Sequence, residues 1–389
     1  MSSEKFTAFA VAAPGLEPLV VAELQRLGLL AHQADPGGVE FETDLIGLYR
    51  ANLHLRVASR VLVRIAAFKA AHFSELERHA STIPWAQWIG AGGTAHFRIT
   101  SKKSRLYHQK AIADRLEAAL RHAVPGVTTV RGAADTEPDA EVQQFVVRLA
   151  YDQCTISADS SGALLHRRGY RQAVAKAPLR ETLAAAMLLG VPWDPAEPLV
   201  DPMCGSGTIA IEAALLARRI PPGWQRSFGF EHWPGFAAPL WHRVRDAARA
   251  DILDAAPAPI HATDRDAGAM AAALANAERA GVAQDLVIER RPLSGLGLPG
   301  GRGLVLTNPP YGLRIGEATQ LRDLFAQLGN LMRQAPPGWK LGLLSANPML
   351  ERRIGLPITT LWTTTNGGIP VRLLATPDRV PLPSHAVTE

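Results

Sequence analysis

The stretch Leu199–Arg219, "LVDPMCGSGTIAIEAALLARR", decides how the second half of this 389-residue chain folds. A short apolar run ends at the carboxylate of Asp201. A loop with glycines at 205 and 207 follows, and then an apolar segment with helix-forming residues. Glycine lets the backbone approach a ligand closely because it has no Cβ atom. In an open α/β sheet such strand-to-helix turns lie at the carboxyl edge, where ligands bind. We therefore predict a βα unit that carries a ligand-binding loop.

This loop lacks the motifs that hold phosphate groups. Its spacing is not G-x-G-x-x-G, and Gly207 is followed by Thr208 and Ile209 where a P-loop would have Lys and Thr. The missing lysine argues against a triphosphate ligand. Asp201 instead suits a cationic group, such as the amino group of an amino acid that carries a sulfonium. The alternative is a tight turn whose glycines serve only packing.

The pattern around the loop predicts the fold class. After about residue 163, strands alternate with helices, which indicates an α/β domain whose sheet is mostly parallel and covered by helices on both faces. The aromatic-rich stretch Arg218–Pro259 interrupts this alternation, and we interpret it as an insertion with a helix around Leu240–Leu253. The first 160 residues mix strands with single helices, a pattern that is typical of small α+β domains.

A second carboxylate ends the next predicted strand. In "HATDRD", Asp264 ends the strand that we predict from "APIHATDRD". A carboxylate at this place can accept hydrogen bonds from both hydroxyl groups of a ribose. The alternative is a helix N-cap, for which Asp266 is better placed.

The third polar element is "TNPPYG", Thr307–Gly312, which stops another apolar run. Its two prolines cannot continue a strand and fix the backbone of the turn. The Asn308 side chain and the Pro309 carbonyl can both accept a hydrogen bond from an exocyclic amine. Tyr311 can stack on a base, a contact worth roughly 1–3 kcal/mol. The alternative is a rigid turn with no further role.

Composition narrows the class of protein. The formal net charge of +5 and the pI near 9.4 permit an anionic partner but do not require one. Two cysteines, Cys154 and Cys204, cannot build a disulfide framework or a four-cysteine zinc site, and we expect no metal. We find neither a signal-peptide pattern nor an apolar run long enough to span a membrane. We therefore expect a cytoplasmic protein.

Together these elements resemble the class I S-adenosylmethionine-dependent methyltransferases that modify exocyclic amines of nucleobases. The chain is most similar to the guanine-N2 RNA methyltransferases with an N-terminal THUMP domain, above all the large-subunit ribosomal RNA members. The segments that carry this resemblance are "PLVDPMCGSGTIAIEAAL", "NPPYG", "GWKLGLLSANPML", "FTAFAVAAPGLEPLVVAELQRLG", "LLHRRGYRQAVAKAPLRETLAAAML" and "FGFEHWPGF". The NPPY motif alone is shared with adenine-N6 DNA methyltransferases.

The resemblance implies three domains. It implies a ferredoxin-like domain at residues 1–58, an RNA-binding THUMP domain at 59–162 and a Rossmann-like class I methyltransferase domain at 163–389, with a seven-stranded, mostly parallel sheet. The implied reaction is methyl transfer from S-adenosylmethionine to guanine N2 in RNA, with 23S ribosomal RNA as the first choice. The alternatives are a guanine of transfer RNA, adenine N6 of a nucleic acid, or an inactive RNA-binding assembly factor.

The resemblance also implies which residues bind and react. The cofactor-binding residues are Asp201, Pro202, Cys204, Gly205, Ser206, Gly207, Thr208, Asp264 and Asn308. The catalytic motif is Asn308, Pro309, Pro310 and Tyr311. The family usually has an acid after the third strand of the sheet, which contacts the adenine amino group. This chain has Arg290, Arg291 and Pro292 in that region.

Two basic clusters are candidates for contacts with RNA phosphates. Their members are Lys102, Lys103, Arg105, Arg167, Arg168 and Arg171. The alternative for each cluster is a solvated surface with no partner. Cations at phosphates would position an RNA without selecting a base.

Overall fold

The computed structural model describes residues 5–131, 141–172, 179–310 and 318–377. The strands in these ranges are β1 (Phe6–Val11), β2 (Leu30–Asp35), β3 (Gly38–Thr43), β4 (Arg60–Lys69), β5 (Thr94–Lys102), β6 (Thr128–Thr129), β7 (Gln143–Ala150), β8 (Gln153–Asp159), β9 (Leu199–Asp201), β10 (Ile260–Asp264), β11 (Leu286–Arg290), β12 (Gly303–Thr307), β13 (Trp339–Ser345), β14 (Thr359–Asn366) and β15 (Ile369–Ala375). The helices are α1 (Glu17–Arg26), α2 (Leu45–His54), α3 (Phe73–Ala80), α4 (Gln109–Ala123), α5 (Glu181–Gly190), α6 (Thr208–Ala217), α7 (Ala238–Ala250), α8 (Ala267–Ala280), α9 (Ala318–Gln334) and α10 (Pro348–Glu351).

The chain divides into two compact units. The first unit comprises residues 1–13, 17–168 and 221–250, and the second comprises residues 14–16, 169–220 and 251–389. This division is not the three-domain division expected from the sequence, whose bounds stay a prediction. None of the helices in the described ranges combines the length and the apolar character that a membrane crossing requires.

The first unit is built on a single eight-stranded sheet. Its strand order is β2-β3-β1-β4-β8-β7-β5-β6. Strand β4 pairs antiparallel with β1 on one side and with β8 on the other. The segments expected to form a ferredoxin-like domain and a following domain therefore share one continuous sheet.

The predicted aromatic insertion lies in the first unit. Residues 221–250 leave the second unit after Ile220 and pack on α2. The Tyr49 ring stacks on Phe230 with centroids 4.4 Å apart, and it packs edge-on against Trp241 with centroids 5.8 Å apart. The Tyr49 hydroxyl accepts a hydrogen bond from the Ala237 amide at 3.1 Å. Burial of large aromatic surfaces explains why this segment departs from the parallel-sheet pattern around it.

The second unit contains a seven-stranded sheet in the order β11-β10-β9-β12-β13-β15-β14. Strands β9 to β13 pair in parallel, and β15 runs antiparallel to both β13 and β14. Six strands therefore point one way and one points the other, which confirms the prediction of a mostly parallel seven-stranded sheet. Strand β9 lies between β10 and β12, so the carboxyl ends of these three strands are neighbours.

Candidate active site

The three polar elements predicted from the sequence meet at one edge of the second unit's sheet. Asp201 ends β9, Asp264 ends β10 and Asn308 directly follows β12. Because the three strands are adjacent and parallel, their carboxyl ends lie at the same edge. Ligands of open α/β sheets bind at this edge.

The two glycines of the loop after β9 have different tasks. Both have a left-handed backbone, with φ of 52° at Gly205 and 82° at Gly207. A Cβ atom at position 207 would lie 3.1 Å from the Cβ of Ala273 on α8, whereas one at position 205 would meet nothing within 4 Å among the described residues. Gly207 therefore permits the left-handed backbone at the start of α6 and the close packing of this turn on α8. Gly205 leaves the space above the loop open for a ligand.

Asp264 is held by the loop backbone. Its Oδ2 atom accepts a hydrogen bond from the Gly205 amide at 3.1 Å, and its Oδ1 atom accepts one from the Asp266 amide at 3.0 Å. Asp266, as expected, is the N-cap of α8, since it accepts a hydrogen bond from the Ala269 amide at 2.8 Å. Asp264 is thus free of the capping role. A carboxylate has about four acceptor sites, so oxygen lone pairs remain for hydroxyl groups.

Asp201 is buried and joins two strands. Asp201 is 1% exposed. Its Oδ1 atom accepts hydrogen bonds from the Thr307 hydroxyl at 2.9 Å and from the Met203 amide at 3.3 Å. Burial raises the pKa of this carboxyl to about 7. The bond to Thr307 fixes the residue that precedes Asn308. A cation nearby would stabilise the charged carboxylate.

Asn308 has a buried acceptor atom without a donor. Its side-chain Oδ1 has no hydrogen-bond partner within the described ranges, although the atom is shielded from solvent. Buried polar atoms are nearly always hydrogen-bonded, because an unmade bond costs about 1–3 kcal/mol. This oxygen is therefore suited to a donor on a ligand. Pro309 is buried and Pro310 exposed, while the predicted stacking residue, Tyr311, lies outside the described residues.

The other predicted loop residues stabilise the turn. The Cys204 amide donates to the Thr263 carbonyl at 3.0 Å, and the Ser206 carbonyl accepts from the Asn276 side chain at 3.1 Å. Burial raises the pKa of the Cys204 thiol, so the thiol stays neutral and is not a nucleophile. Pro202 and Thr208 flank the loop on its two sides. Asn276 was not predicted, and no local pattern in the sequence marks it.

The region after β11 contains cations where an acid was expected from the resemblance. The Arg290 side chain donates to the Arg265 carbonyl at 3.0 Å, and Arg291 forms an ion pair with Glu289 at 2.9 Å. The Arg291 amide donates to the Asp264 carbonyl at 2.9 Å. Pro292 then begins a short turn. The arginines thus hold the backbone beside Asp264.

The six predicted RNA-contacting cations divide into two groups. One group is exposed and comprises Lys102 at the end of β5, Lys103 and Arg105 just after it, and Arg167.

Arg168 and Arg171 are occupied by internal partners. The Arg168 side chain is 3% exposed and donates to the carbonyls of Leu165 at 2.7 Å and Arg56 at 2.6 Å. Arg171 pairs with Glu181 at 2.9 Å and donates to the Thr208 hydroxyl at 2.7 Å. We therefore leave these two arginines out of the proposed RNA contacts.

Comparisons with known proteins agree with this geometry. The model of a family described as RMKL-like, methyltransferase domain, matches residues 168–373, and a model described as RlmL ferredoxin-like domain matches residues 7–62. The chain is 36% identical to slr0064, a candidate RNA methyltransferase of Synechocystis, over 94% of this chain and 95% of that protein.

The chain is also similar to a curated ribosomal RNA methyltransferase and to a solved methyltransferase structure. The chain is 38% identical to the ribosomal RNA large subunit methyltransferase K/L of Syntrophotalea carbinolica, over 94% of this chain and 53% of that protein. It therefore spans about half the length of the K/L relatives. The crystal structure of SMU.472, a candidate methyltransferase in complex with S-adenosylhomocysteine, superimposes with a TM-score of 0.85 at 29% identity, covering 97% of this chain and 99% of that one.

Proposed function

The chain belongs to the family of RMKL-like methyltransferases, and we propose that it methylates the exocyclic N2 amine of a guanine in RNA, with 23S ribosomal RNA as the substrate. Its fold is the predicted class I methyltransferase fold, preceded by a ferredoxin-like domain, and its cofactor is S-adenosylmethionine. The names of relatives support RNA as the substrate. The observation that carries the proposed chemistry is the Oδ1 atom of Asn308, which is buried and has no partner in the part of the chain that the structure describes.

The residues at the sheet edge fit the cofactor. Asp264 has oxygen lone pairs for the ribose hydroxyls, and the open space at Gly205 accommodates a close approach to the backbone. The buried Asp201 carboxylate suits the cationic amino group of the methionine part. When bound, S-adenosylmethionine supplies an electrophilic methyl group on a positively charged sulfur.

Asn308 and Pro309 orient the amine for attack. In guanine the N2 lone pair is conjugated with the ring, which makes it a weak nucleophile. Two acceptors, the Asn308 Oδ1 atom and the Pro309 carbonyl, would bind the two N–H groups and direct the lone pair out of the ring plane. The nitrogen becomes cationic as the new bond forms and then loses a proton, so no strong base is required beforehand. Orientation of this kind can contribute roughly 7–11 kcal/mol in favourable cases.

The choice of RNA and of guanine rests on different grounds. We propose that residues 59–162 form a THUMP domain that binds RNA in the cytoplasm, with phosphates contacted by Lys102, Lys103, Arg105 and Arg167. Two acceptors at an amine do not distinguish guanine N2 from adenine N6, since both amines carry two N–H groups. The names of the K/L relatives support large-subunit ribosomal RNA as the substrate. The choice of guanine N2 rests on the sequence resemblance alone.

The decisive experiment is a nucleoside analysis. The purified protein is incubated with isotope-labelled S-adenosylmethionine and either 23S ribosomal RNA or bulk transfer RNA lacking the modification, and the RNA is digested and separated by mass spectrometry. We expect labelled N2-methylguanosine in the 23S sample. Label in N6-methyladenosine would replace the proposed base, and label confined to transfer RNA would replace the proposed substrate. No transfer together with no measurable cofactor binding in calorimetry would favour the inactive assembly factor, whereas tight stoichiometric binding would argue against it.

A further inference from the structure

Two short segments of the first unit form one surface. The Tyr151 amide donates to the Lys102 carbonyl at 3.3 Å, the Asp152 amide donates to the Ser104 hydroxyl at 3.0 Å, and the Arg105 amide donates to the Asp152 carboxylate at 2.7 Å. These bonds tie the segment after β5 to the turn between β7 and β8. We call residues 102–108 together with Tyr151 and Asp152 the tyrosine edge.

The backbone of the tyrosine edge is unusual. Non-glycine residues with positive φ are rare, because the left-handed region brings Cβ close to the backbone. Four such residues occur in the described ranges, and three of them lie here: Lys103 at 52°, Tyr151 at 52° and Asp152 at 62°. A two-residue hairpin turn of this shape ordinarily uses Asn-Gly. Backbone strain of this kind clusters at functional sites.

The strained turn displays an aromatic ring to solvent. Tyr151 is 70% exposed and Tyr107 is 66% exposed, and in the described part of the chain no other aromatic residue belongs to the exposed large apolar side chains. The Lys103 ammonium lies 5.2 Å from the centroid of the Tyr151 ring and donates to its hydroxyl at 3.1 Å. The Tyr107 ring packs on His108 with centroids 4.1 Å apart. Both rings are thus positioned by neighbours and still open to a partner.

The charge of the surface selects the class of partner. Lys102, Lys103 and Arg105 of the tyrosine edge are exposed, and so is Lys110 beside it, in the first turn of α4. Asp152 accepts from the Arg105 backbone, and its carboxylate also lies 3.9 Å from the Arg105 side chain. Cations that follow a phosphate backbone, combined with exposed rings, are the features of surfaces that bind single-stranded nucleic acid.

We propose that the tyrosine edge binds unpaired nucleotides of the RNA, with Tyr107 and Tyr151 stacking on bases and the lysines contacting phosphates. This rests on the proposed function, because it assumes that RNA is the substrate. It adds that the recognised RNA is single-stranded at the place where it crosses the first unit. The lysines explain attraction to any nucleic acid, whereas the rings explain a preference for unpaired bases.

The test measures binding without catalysis. Fluorescence anisotropy compares a labelled single-stranded RNA of mixed sequence with an RNA duplex of the same length, at one fixed salt concentration. Tyr151→Leu and Tyr107→Leu should each weaken single-strand binding about tenfold while changing duplex binding little, since a duplex offers no free base face. Tyr151→Phe and Tyr107→Phe keep the ring and should restore the affinity.

The control is Leu30→Ala. Leu30 is as exposed as Tyr107, at 66%, but it lies on β2, at the opposite end of the sheet order from β5. This variant should bind both RNAs like the parent, and circular dichroism should show the parental fold for every variant. The proposal is overturned if a folded leucine variant binds single-stranded RNA with the parental affinity. It is also overturned if the variant loses affinity for single-stranded RNA and for the duplex by the same factor.

The outcome is independent of the proposed reaction. Cofactor binding and methyl transfer are measured on the same preparations. Ring-dependent binding of single strands without N2-methylguanosine formation would support the tyrosine edge and contradict the proposed function. Methyl transfer to 23S RNA, with parental single-strand binding by both leucine variants, would support the proposed function and contradict the tyrosine edge.

Discussion

The two sheets of this molecule present polar chemistry in opposite ways. At the carboxyl edge of the second unit's sheet, two polar groups of the candidate site are buried: Asp201 is 1% exposed, and the Asn308 Oδ1 atom is shielded from solvent and has no donor among the described residues. At the tyrosine edge of the first unit, the rings of Tyr107 and Tyr151 are more than half exposed. Buried groups can orient a few reacting atoms, because water does not compete there. Exposed groups make individually modest contacts with a long partner. Substitutions at the carboxyl edge of the second unit's sheet should therefore affect the rate of methyl transfer. Substitutions at the tyrosine edge should affect the affinity for RNA.

The largest effect is expected for Asn308→Ala. The substitution removes the acceptor that orients the amine, so single-turnover methyl transfer should fall at least about a thousandfold, which uses only part of the roughly 7–11 kcal/mol that orientation can supply. Cofactor binding, measured by calorimetry, should change little. Asn330→Ala is the matched control, because Asn330 is an exposed asparagine on α9. Near-parental transfer by the Asn308 variant would refute its proposed role.

The second prediction concerns the pH dependence of stability. The folded pKa of Asp201 is about 7, well above its ordinary value of 3.8, because burial disfavours the charged form. The folded state therefore holds a proton that the unfolded state releases, and Asp201 destabilises the fold progressively as the pH rises from about 4 to 7. Between pH 4 and 8 the parent should lose roughly 3–5 kcal/mol relative to Asp201→Asn. Denaturant unfolding of both proteins at several pH values measures this difference, and parallel curves would contradict it.

The same carboxyl should make cofactor binding depend on pH. If the charged carboxylate interacts with the cationic amino group of S-adenosylmethionine, affinity rises as the pH rises through about 7. Calorimetric titrations from pH 6 to pH 8 should show this rise in the parent and lack it in Asp201→Asn. A pH dependence that is unchanged in the variant would assign the rise to another group.

Two glycine substitutions in the loop after β9 should separate an effect on folding stability from an effect on cofactor binding. Gly207→Ala places a Cβ 3.1 Å from that of Ala273 on a left-handed backbone, and it should destabilise the protein by about 1–3 kcal/mol in thermal unfolding. Gly205→Ala meets no described neighbour, so its stability loss should be smaller. Its new methyl group would instead occupy the space proposed for the cofactor, and calorimetry should show weaker binding than for Gly207→Ala. The reverse order of the two affinities would argue against a ligand above Gly205.

The smallest effect is expected at the tyrosine edge. In steady-state assays with RNA, Tyr151→Leu should raise KM about tenfold, a change of about 1.4 kcal/mol, and should lower kcat much less. Tyr151→Phe is its matched control. If Tyr151→Leu instead lowers kcat and leaves KM at the parental value, the ring acts in the reaction and not in RNA affinity, and the prediction is wrong.

The placement of three polar residues at one sheet edge was predictable from the sequence because its signals are local. Asp201 and Asp264 end their strands, Asn308 directly follows its strand, and the glycines lie in the loop after Asp201. The roles of Thr307 and Asn276 could not be read in this way. Thr307 bonds to Asp201 across 106 residues and Asn276 bonds to Ser206 across 70, so only the folded chain brings these groups together.

The basic residues show the limit of reasoning from charge. The run His166–Arg171 has the same composition as a phosphate-binding cluster, yet Arg168 and Arg171 are directed to carbonyl and carboxylate partners inside their own units. Charge in a sequence does not indicate whether a guanidinium faces solvent, since that depends on which carbonyls the fold leaves without a donor. Strands β14 and β15 were not predicted individually either, although they form a local hairpin in which Asn366 pairs with Ile369. Only β15 pairs with β13, and that pairing joins segments that are not adjacent in the chain.

The sequence by itself determined the parallel-sheet domain, the order of its polar strand ends and the family resemblance, since these follow from periodicity and short motifs. Only the tertiary structure decided that residues 221–250 complete the first unit and that residues 102–108 meet the Tyr151–Asp152 turn. It also decided which cations remain exposed. The physical reason is that local backbone preferences act within a few residues, whereas burial and hydrogen-bond satisfaction are settled by segments far apart in the chain.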